Sequence, residues 1–290
     1  MNMLSLKKEI KQWRQEGFQK ERELLVACWG GYFKSPNQTL NQTPNGVDIV
    51  NLAFGHPANN SHLSLDFLTS VHSEEQIKEW VQELRARNIK VMITIVDEPE
   101  CRWNKVDLSI FVPSLLKMVQ EWNLDGVDIS SQTDISPLTR LASCFIDLAK
   151  RLRRALPDDR ILTYTCHLSK EQQDGQVLKN IVRDIDWINI MPGFEDFESM
   201  VNLYQDYQTI MGNRITIGVK AGKDVTDMEL VQQLTSWEPP VNPKYKKRKL
   251  HKTGIMLWTL NRDNPHFTNQ KEWTWTDTIL RLLPKKVISF

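Results

Sequence analysis

Residues 125–132 read Asp-Gly-Val-Asp-Ile-Ser-Ser-Gln. In an extended strand alternate side chains share a face, so Asp128, Ser130 and Gln132 point one way and Val127 and Ile129 the other. A carboxyl group exchanges a proton near working pH, whereas a Gln amide can only donate and accept hydrogen bonds. Further carboxylates stand just beyond apolar runs: Asp97 and Glu98 after KVMITIV, Asp134 two residues past Gln132, and Glu195 after DWINIM. His56 and His167 also close such runs. Two imidazoles and a carboxylate can hold a metal, but these two lie on runs far apart, so no metal is expected. No Gly-rich phosphate loop follows any run, and no cofactor is expected either.

These residues need elements to hold them in place. Short, nearly continuous apolar runs rich in Ile and Val span Leu24–Trp29, Val47–Phe54, Lys90–Val96, Asp125–Ser130, Ile161–Cys166, Asp186–Met191, Arg214–Val219 and Gly254–Leu260. Runs of this kind read as strands buried on both faces. Helical patterns alternate with them. Glu74–Asn88 opens on a capping box at Ser73, with Ile77, Trp80, Val81 and Leu84 on one face. The others are Asp107–Trp122, Ser136–Leu156, Lys170–Val182, Phe197–Met211, Thr226–Trp237 and Asn269–Leu283. Eight strands alternating with helices predict an α/β fold, a single (β/α)8 TIM barrel. Residues 1–22 read as an extra amphipathic helix packed on that barrel, and residues 23–290 as the barrel itself. Its active face is the C-terminal end of the strands.

Composition narrows the function classes. The net charge of +1 and a pI near 7.7 give no global field for nucleic acid or membrane. No apolar stretch reaches membrane-spanning length, and the charged N-terminus lacks an export pattern, which predicts a cytoplasmic protein. Cys28, Cys101, Cys144 and Cys166 lack metal-ligand spacing and read as free thiols. The basic run Lys244–Lys252 reads either as a solvated loop or as a docking patch for a protein or other anionic partner.

The order VDIVNLAFG, KVMITIV, DGVDISSQ, DWINIM and GIMLWTLNRD resembles glycoside hydrolase family 18, the chitinases and their relatives, from Leu24 to Asp263. The resemblance implies the same barrel. It also implies a motif Asp-Gly-x-Asp-x-Asp-x-Glu, whose Glu protonates the glycosidic oxygen and whose last Asp orients the substrate's N-acetyl group. Asp125, Gly126 and Asp128 match it. Ser130 stands for the orienting Asp and Gln132 for the acid. The family's Ser-x-Gly-Gly and Met-x-Tyr-Asp turns are also altered, to Thr94–Asp97 and Met191–Phe194.

Losing a general acid costs about 10²–10⁴ in rate. What the resemblance preserves is a sugar platform, since Trp258 matches the family's Trp beneath the central sugar. Trp29, Trp103, Phe54, Met191 and Asn261 also fall near strand ends and join it as glycan-binding candidates. Three readings follow. One is a catalytically inactive or impaired, lectin-like protein binding an oligosaccharide in its cleft. Another is an active glycosidase whose acid is relocated to Asp97, Glu98, Asp134 or Glu195. The third is a protein-interaction scaffold with a vestigial cleft.

Overall fold

The computed structural model describes residues 23–34, 38–98, 101–130, 141–166, 171–191, 196–222, 228–240 and 251–283. The segment 1–22, Gln132, Asp134, His167, Glu195 and residues 244–250 of the basic run lie outside them.

The apolar runs fold as strands β1 (Leu24–Gly30), β2 (Ile49–Pro57), β4 (Lys90–Ile95), β5 (Gly126–Ile129), β6 (Ile161–Cys166), β7 (Trp187–Ile190), β8 (Ile215–Lys220) and β9 (Gly254–Trp258). All eight pair in parallel, and β1 pairs with both β2 and β9, so the sheet closes into a barrel. The two-residue strand β3 (Leu63–Ser64) folds back antiparallel on the end of β2. The expected strands are all present, with ends shifted by a few residues.

Helices α1 (Glu74–Ala86), α2 (Leu108–Glu121), α3 (Leu141–Ala155), α4 (Glu171–Ile181), α5 (Phe197–Met211), α6 (Met228–Ser236), α7 (Pro265–Thr268) and α8 (Thr274–Leu282) occupy the connections. Their starts follow from the sequence chemistry. Ser73, Asp107 and Asp196 cap α1, α2 and α5, each accepting a backbone N–H of the first turn. The capping stretch at Ser73 buries Ile77, Trp80, Val81 and Leu84 against the sheet, the face the spacing predicts. Each such side chain stabilises the fold by about 1.5–3 kcal/mol. The Asn269–Leu283 helix is shorter than predicted. Residues 269–273 instead link α7 to α8, where Asn269 and Trp273 take left-handed conformations that break the helix.

Strand alternation sorts the core into two layers. Leu25, Ala27, Val127, Ile129, Ile188, Ile217 and Leu257 face the helices. Leu24, Val26, Cys28, Ile49, Met92, Ile161, Trp187 and Met256 fill the barrel interior, with Met191 and Trp258 packed on top.

At the N-terminal rim one device recurs. Asp48, Asp125 and Asp186, each just before a strand, accept the N–H of Leu25, Val91 and Leu162 on the neighbouring strand at 2.8, 2.9 and 2.8 Å. Asp125 also pairs with Arg85 and lies 3.7 Å from Lys90 Nζ. The next residue, Gly126, runs so close to β6 that a Cβ there would lie 2.2 Å from the Ile161 carbonyl oxygen. The Asp-Gly half of the motif is therefore structural, at the end of the barrel opposite the active face.

Lys252, the last residue of the basic run, stands apart from both readings of it. It is fully buried, with Nζ 2.8 Å from Glu23 Oε2 and donating to the Thr235 and Trp237 carbonyls at 3.0 and 2.7 Å. A lysine so buried keeps its charge only if an anion and acceptors surround it, and here they do. It is no part of a surface patch.

Candidate functional site

Asp128 lies inside the barrel, 1% exposed. Its carboxylate accepts from Thr94 Oγ1 at 3.1 Å, Thr163 Oγ1 at 2.6 Å, Thr165 Oγ1 at 2.8 Å and Asn189 Nδ2 at 3.1 Å. Asn189 in turn accepts from Trp187 Nε1 at 3.0 Å and Thr216 Oγ1 at 2.7 Å. A polar layer thus crosses five strands. Burial pushes the Asp128 carboxyl up to about 6, and the four donors hold it from rising further. The layer was legible as polar residues at alternate positions of apolar strands, away from the strand ends.

One step nearer the mouth, Ser130 is buried and its N–H donates to the Ile95 carbonyl at 2.9 Å, continuing the β4–β5 pairing past Ile129. Ser130 shares the inner face with Asp128, because Val127 and Ile129 join the helix-side layer.

The mouth itself is aromatic. Trp258 and Phe54 stack with centroids 5.6 Å apart and planes 20° apart, and Tyr32 stacks on Phe54 at 6.3 Å. The Ala53–Phe54 and Trp258–Thr259 peptides are both cis. Trp258 is half-buried and, with Met191, covers the interior apolar cluster. These three candidates, Trp258, Phe54 and Met191, come together at the mouth. Tyr32 was missed, since it lies past the end of β1 in the loop that follows.

Other candidates fall elsewhere. Trp29 shares its face with Leu25 and Ala27, so it enters the helix-side core, edge-on to Trp80 at 6.2 Å, with its indole N–H on the Gln38 carbonyl at 2.9 Å. Trp103 is 1% exposed and packs edge-on against Phe111 and Phe145 at 5.2 and 5.9 Å. Neither can meet a ligand. Asn261 is buried too. Its Oδ1 accepts the Gly30 N–H at 2.7 Å and its carbonyl accepts from Asn264 Nδ2 at 2.8 Å, so it pins a loop to β1.

Among the relocated-acid candidates, Asp97 is fully buried and accepts the Trp103 N–H at 3.4 Å, a turn-holding role. Glu98 is different. Its side chain is 24% exposed, with Oε2 3.6 Å from His56 Nδ1, while His56 Nε2 bonds Asp66. The imidazole, on β2, is buried and bracketed by two carboxylates, Asp66 just after β3 and Glu98 just after β4. Among the described residues no group of three or more His, Cys, Asp or Glu is arranged to hold a metal ion.

The family model described as glycosyl hydrolases family 18 matches residues 25–211, more than half of the chain. The chain belongs to this family. Among curated proteins, Exochitinase 1 of Streptomyces olivaceoviridis is 27% identical over 148 residues, which are 43% of this chain and 24% of that protein. The chain thus spans about a quarter of the length of the curated relative it matches. Among solved structures, the family 18 chitinase of Chromobacterium violaceum aligns with a TM-score of 0.69 at 14% identity, over 93% of this chain and 85% of that one. The endo-β-N-acetylglucosaminidase of Cordyceps militaris gives 0.63 at 16%, over 97% and 96%. A mutant class V chitinase of Nicotiana tobaccum in complex with NAG4 gives 0.64 at 11%, over 90% and 99%. At these identities the likenesses bear on the fold of this family 18 chain, and they agree on the closed barrel.

Proposed function

We propose that this family 18 chain binds a glycan at the C-terminal mouth of its barrel and is impaired in hydrolysis. The observation that carries this is the state of its motif strand. Asp125 sits at the opposite, N-terminal rim, and Asp128 is buried beneath the mouth with four donors on it. A group so enclosed cannot reach a glycosidic oxygen. The next two motif positions in the sequence hold Ser130 and Gln132, neither of which titrates near neutral pH.

Binding is supported by the Trp258–Phe54–Tyr32 array, because the apolar C–H face of a sugar ring gains by covering aromatic surface. The family and the NAG4 complex of a similar fold point to an N-acetylglucosamine oligosaccharide as the first ligand to try. Calorimetric titration with chitotetraose tests the reading. Saturable binding supports it, and no heat with any oligosaccharide of a broad panel rejects it.

One observation favours a second reading. Glu98 is half-buried at the active face and held beside His56, an arrangement able to exchange a proton with a ligand. If Glu98 replaces the missing acid, Glu98→Gln abolishes a turnover that the wild-type chain displays.

A further inference from the structure

The rings of the mouth continue beyond Trp258, Phe54 and Tyr32 and end on a cation. Phe33 packs on Tyr32 at 4.7 Å, Phe267 meets Phe33 edge-on at 6.2 Å, and the Arg262 guanidinium carbon lies 4.7 Å from the centre of the Phe267 ring. Arg262 Nε donates to the Ala221 carbonyl at 2.8 Å, and the Ala221 N–H donates to the Trp258 carbonyl at 2.9 Å. The guanidinium is therefore held from two sides, by a ring and by a carbonyl, at the rim of the same mouth. It lies over Gly222, where a Cβ would sit 2.6 Å from Nη2, so the backbone leaves room for it.

Its two terminal nitrogens make no hydrogen bond or ion pair with a described residue. The half-buried Tyr32 phenol is close enough for the Arg262 charge to act on it. Burial nonetheless pushes it up to about 12, so it stays a neutral donor. The described carboxylates Glu98 and Asp66 face His56. Asp263, next to Arg262 in sequence, is buried and accepts from Trp275 and Thr276.

A guanidinium fixed through Nε presents its terminal N–H groups as a planar fork that matches an oxyanion. We propose that Arg262, with Tyr32, forms an anion-binding subsite beside Trp258, so that the cleft prefers an oligosaccharide carrying a carboxylate or sulfate group. This rests on the glycan-binding reading above and names the ligand class of that site.

The test titrates the full chain with three probes at low and moderate salt: neutral chitotetraose, a hyaluronan hexasaccharide with carboxylates, and 6-O-sulfated chitotetraose. The expected result is about tenfold tighter binding of at least one acidic probe, the scale of one charge-assisted contact. That preference should shrink as salt screens it. The two acidic arms tell carboxylate from sulfate. Arg262→Gln should reduce the preference to within about twofold of unity, and Arg262→Lys, which keeps the charge but loses the fork, should retain part of it. Thermal denaturation checks that both variants fold. Should Arg262→Gln not fold, the lysine variant and the salt dependence decide. Equal binding of all three probes by wild type, or a preference that survives in folded Arg262→Gln, overturns the subsite alone. Failure of every probe to bind removes the glycan reading and the subsite with it.

Discussion

Asn189 Nδ2 reaches Asp128 Oδ1 at 3.1 Å from a strand that is not its neighbour, since β6 lies between β5 and β7. The bond crosses the barrel interior and also binds Thr165 Oγ1 at 3.2 Å, so three strands are tied at one level. Buried polar groups are tolerated when every one is satisfied, and here the carboxylate is saturated by hydroxyl and amide donors instead of a cation. Those donors lower the cost of burying the charge without cancelling it, which leaves a carboxyl that takes up a proton near pH 6.

The sign of the resulting pH dependence follows. The folded value of about 6 lies above the ordinary 3.8, so the native state holds this proton more tightly than the unfolded chain. The stability it lends is fully present below about pH 4 and is lost as pH rises through 6, by about 3 kcal/mol. Chemical denaturation of wild type and Asp128→Asn at pH 4 and pH 7 measures it. The difference between the two proteins should move against wild type by about 2–3 kcal/mol on going to pH 7. A difference that stays constant contradicts the environment described for Asp128.

The buried pair of Glu23 and Lys252 gives a second expectation. Lys252→Met strands a buried carboxylate and should cost about 3–5 kcal/mol, while Glu23→Gln added to it should restore much of the loss. A double-mutant cycle by urea denaturation reads the coupling. A single variant within about 1 kcal/mol of wild type would sink the pairing.

The tryptophans separate by role. Trp258→Ala should weaken chitotetraose binding about tenfold or more and Phe54→Ala by less, as expected from exposed aromatic surface. Trp29→Ala and Trp103→Ala should instead lower stability by about 3–5 kcal/mol, the usual cost of emptying a core site. Their folded fraction should bind as wild type does. Calorimetry beside thermal denaturation distinguishes the classes, and the account fails if Trp29→Ala weakens binding in a folded protein.

Most of the barrel was legible because a strand buried on both faces must be apolar nearly throughout, and LLVACWG, KVMITI and ILTYTC meet that condition. The site was less so. Being at a strand end does not say which face a residue takes, and Trp29 was placed at the mouth although its parity with Leu25 and Ala27 sends it outward. Trp258 shares parity with Met256 and points inward, so the same rule separates the two. Trp103 and Asn261 lie past the strands, where the loop path and not periodicity decides. Nothing local in the sequence announces that Lys252 meets Glu23, because that contact joins the approaches to β9 and β1. Arg262 was hidden for a similar reason, its position depending on Phe267 and Ala221 together.

The central claim is that the mouth binds a glycan without cleaving it. Its most direct test is prolonged incubation of chitotetraose with a molar excess of the protein at pH 5 and pH 7, followed by mass spectrometry of the sugar. The account predicts recovery of intact tetrasaccharide under conditions where calorimetry detects binding. Shortened products that disappear in Glu98→Gln would contradict it and make Glu98 the working acid.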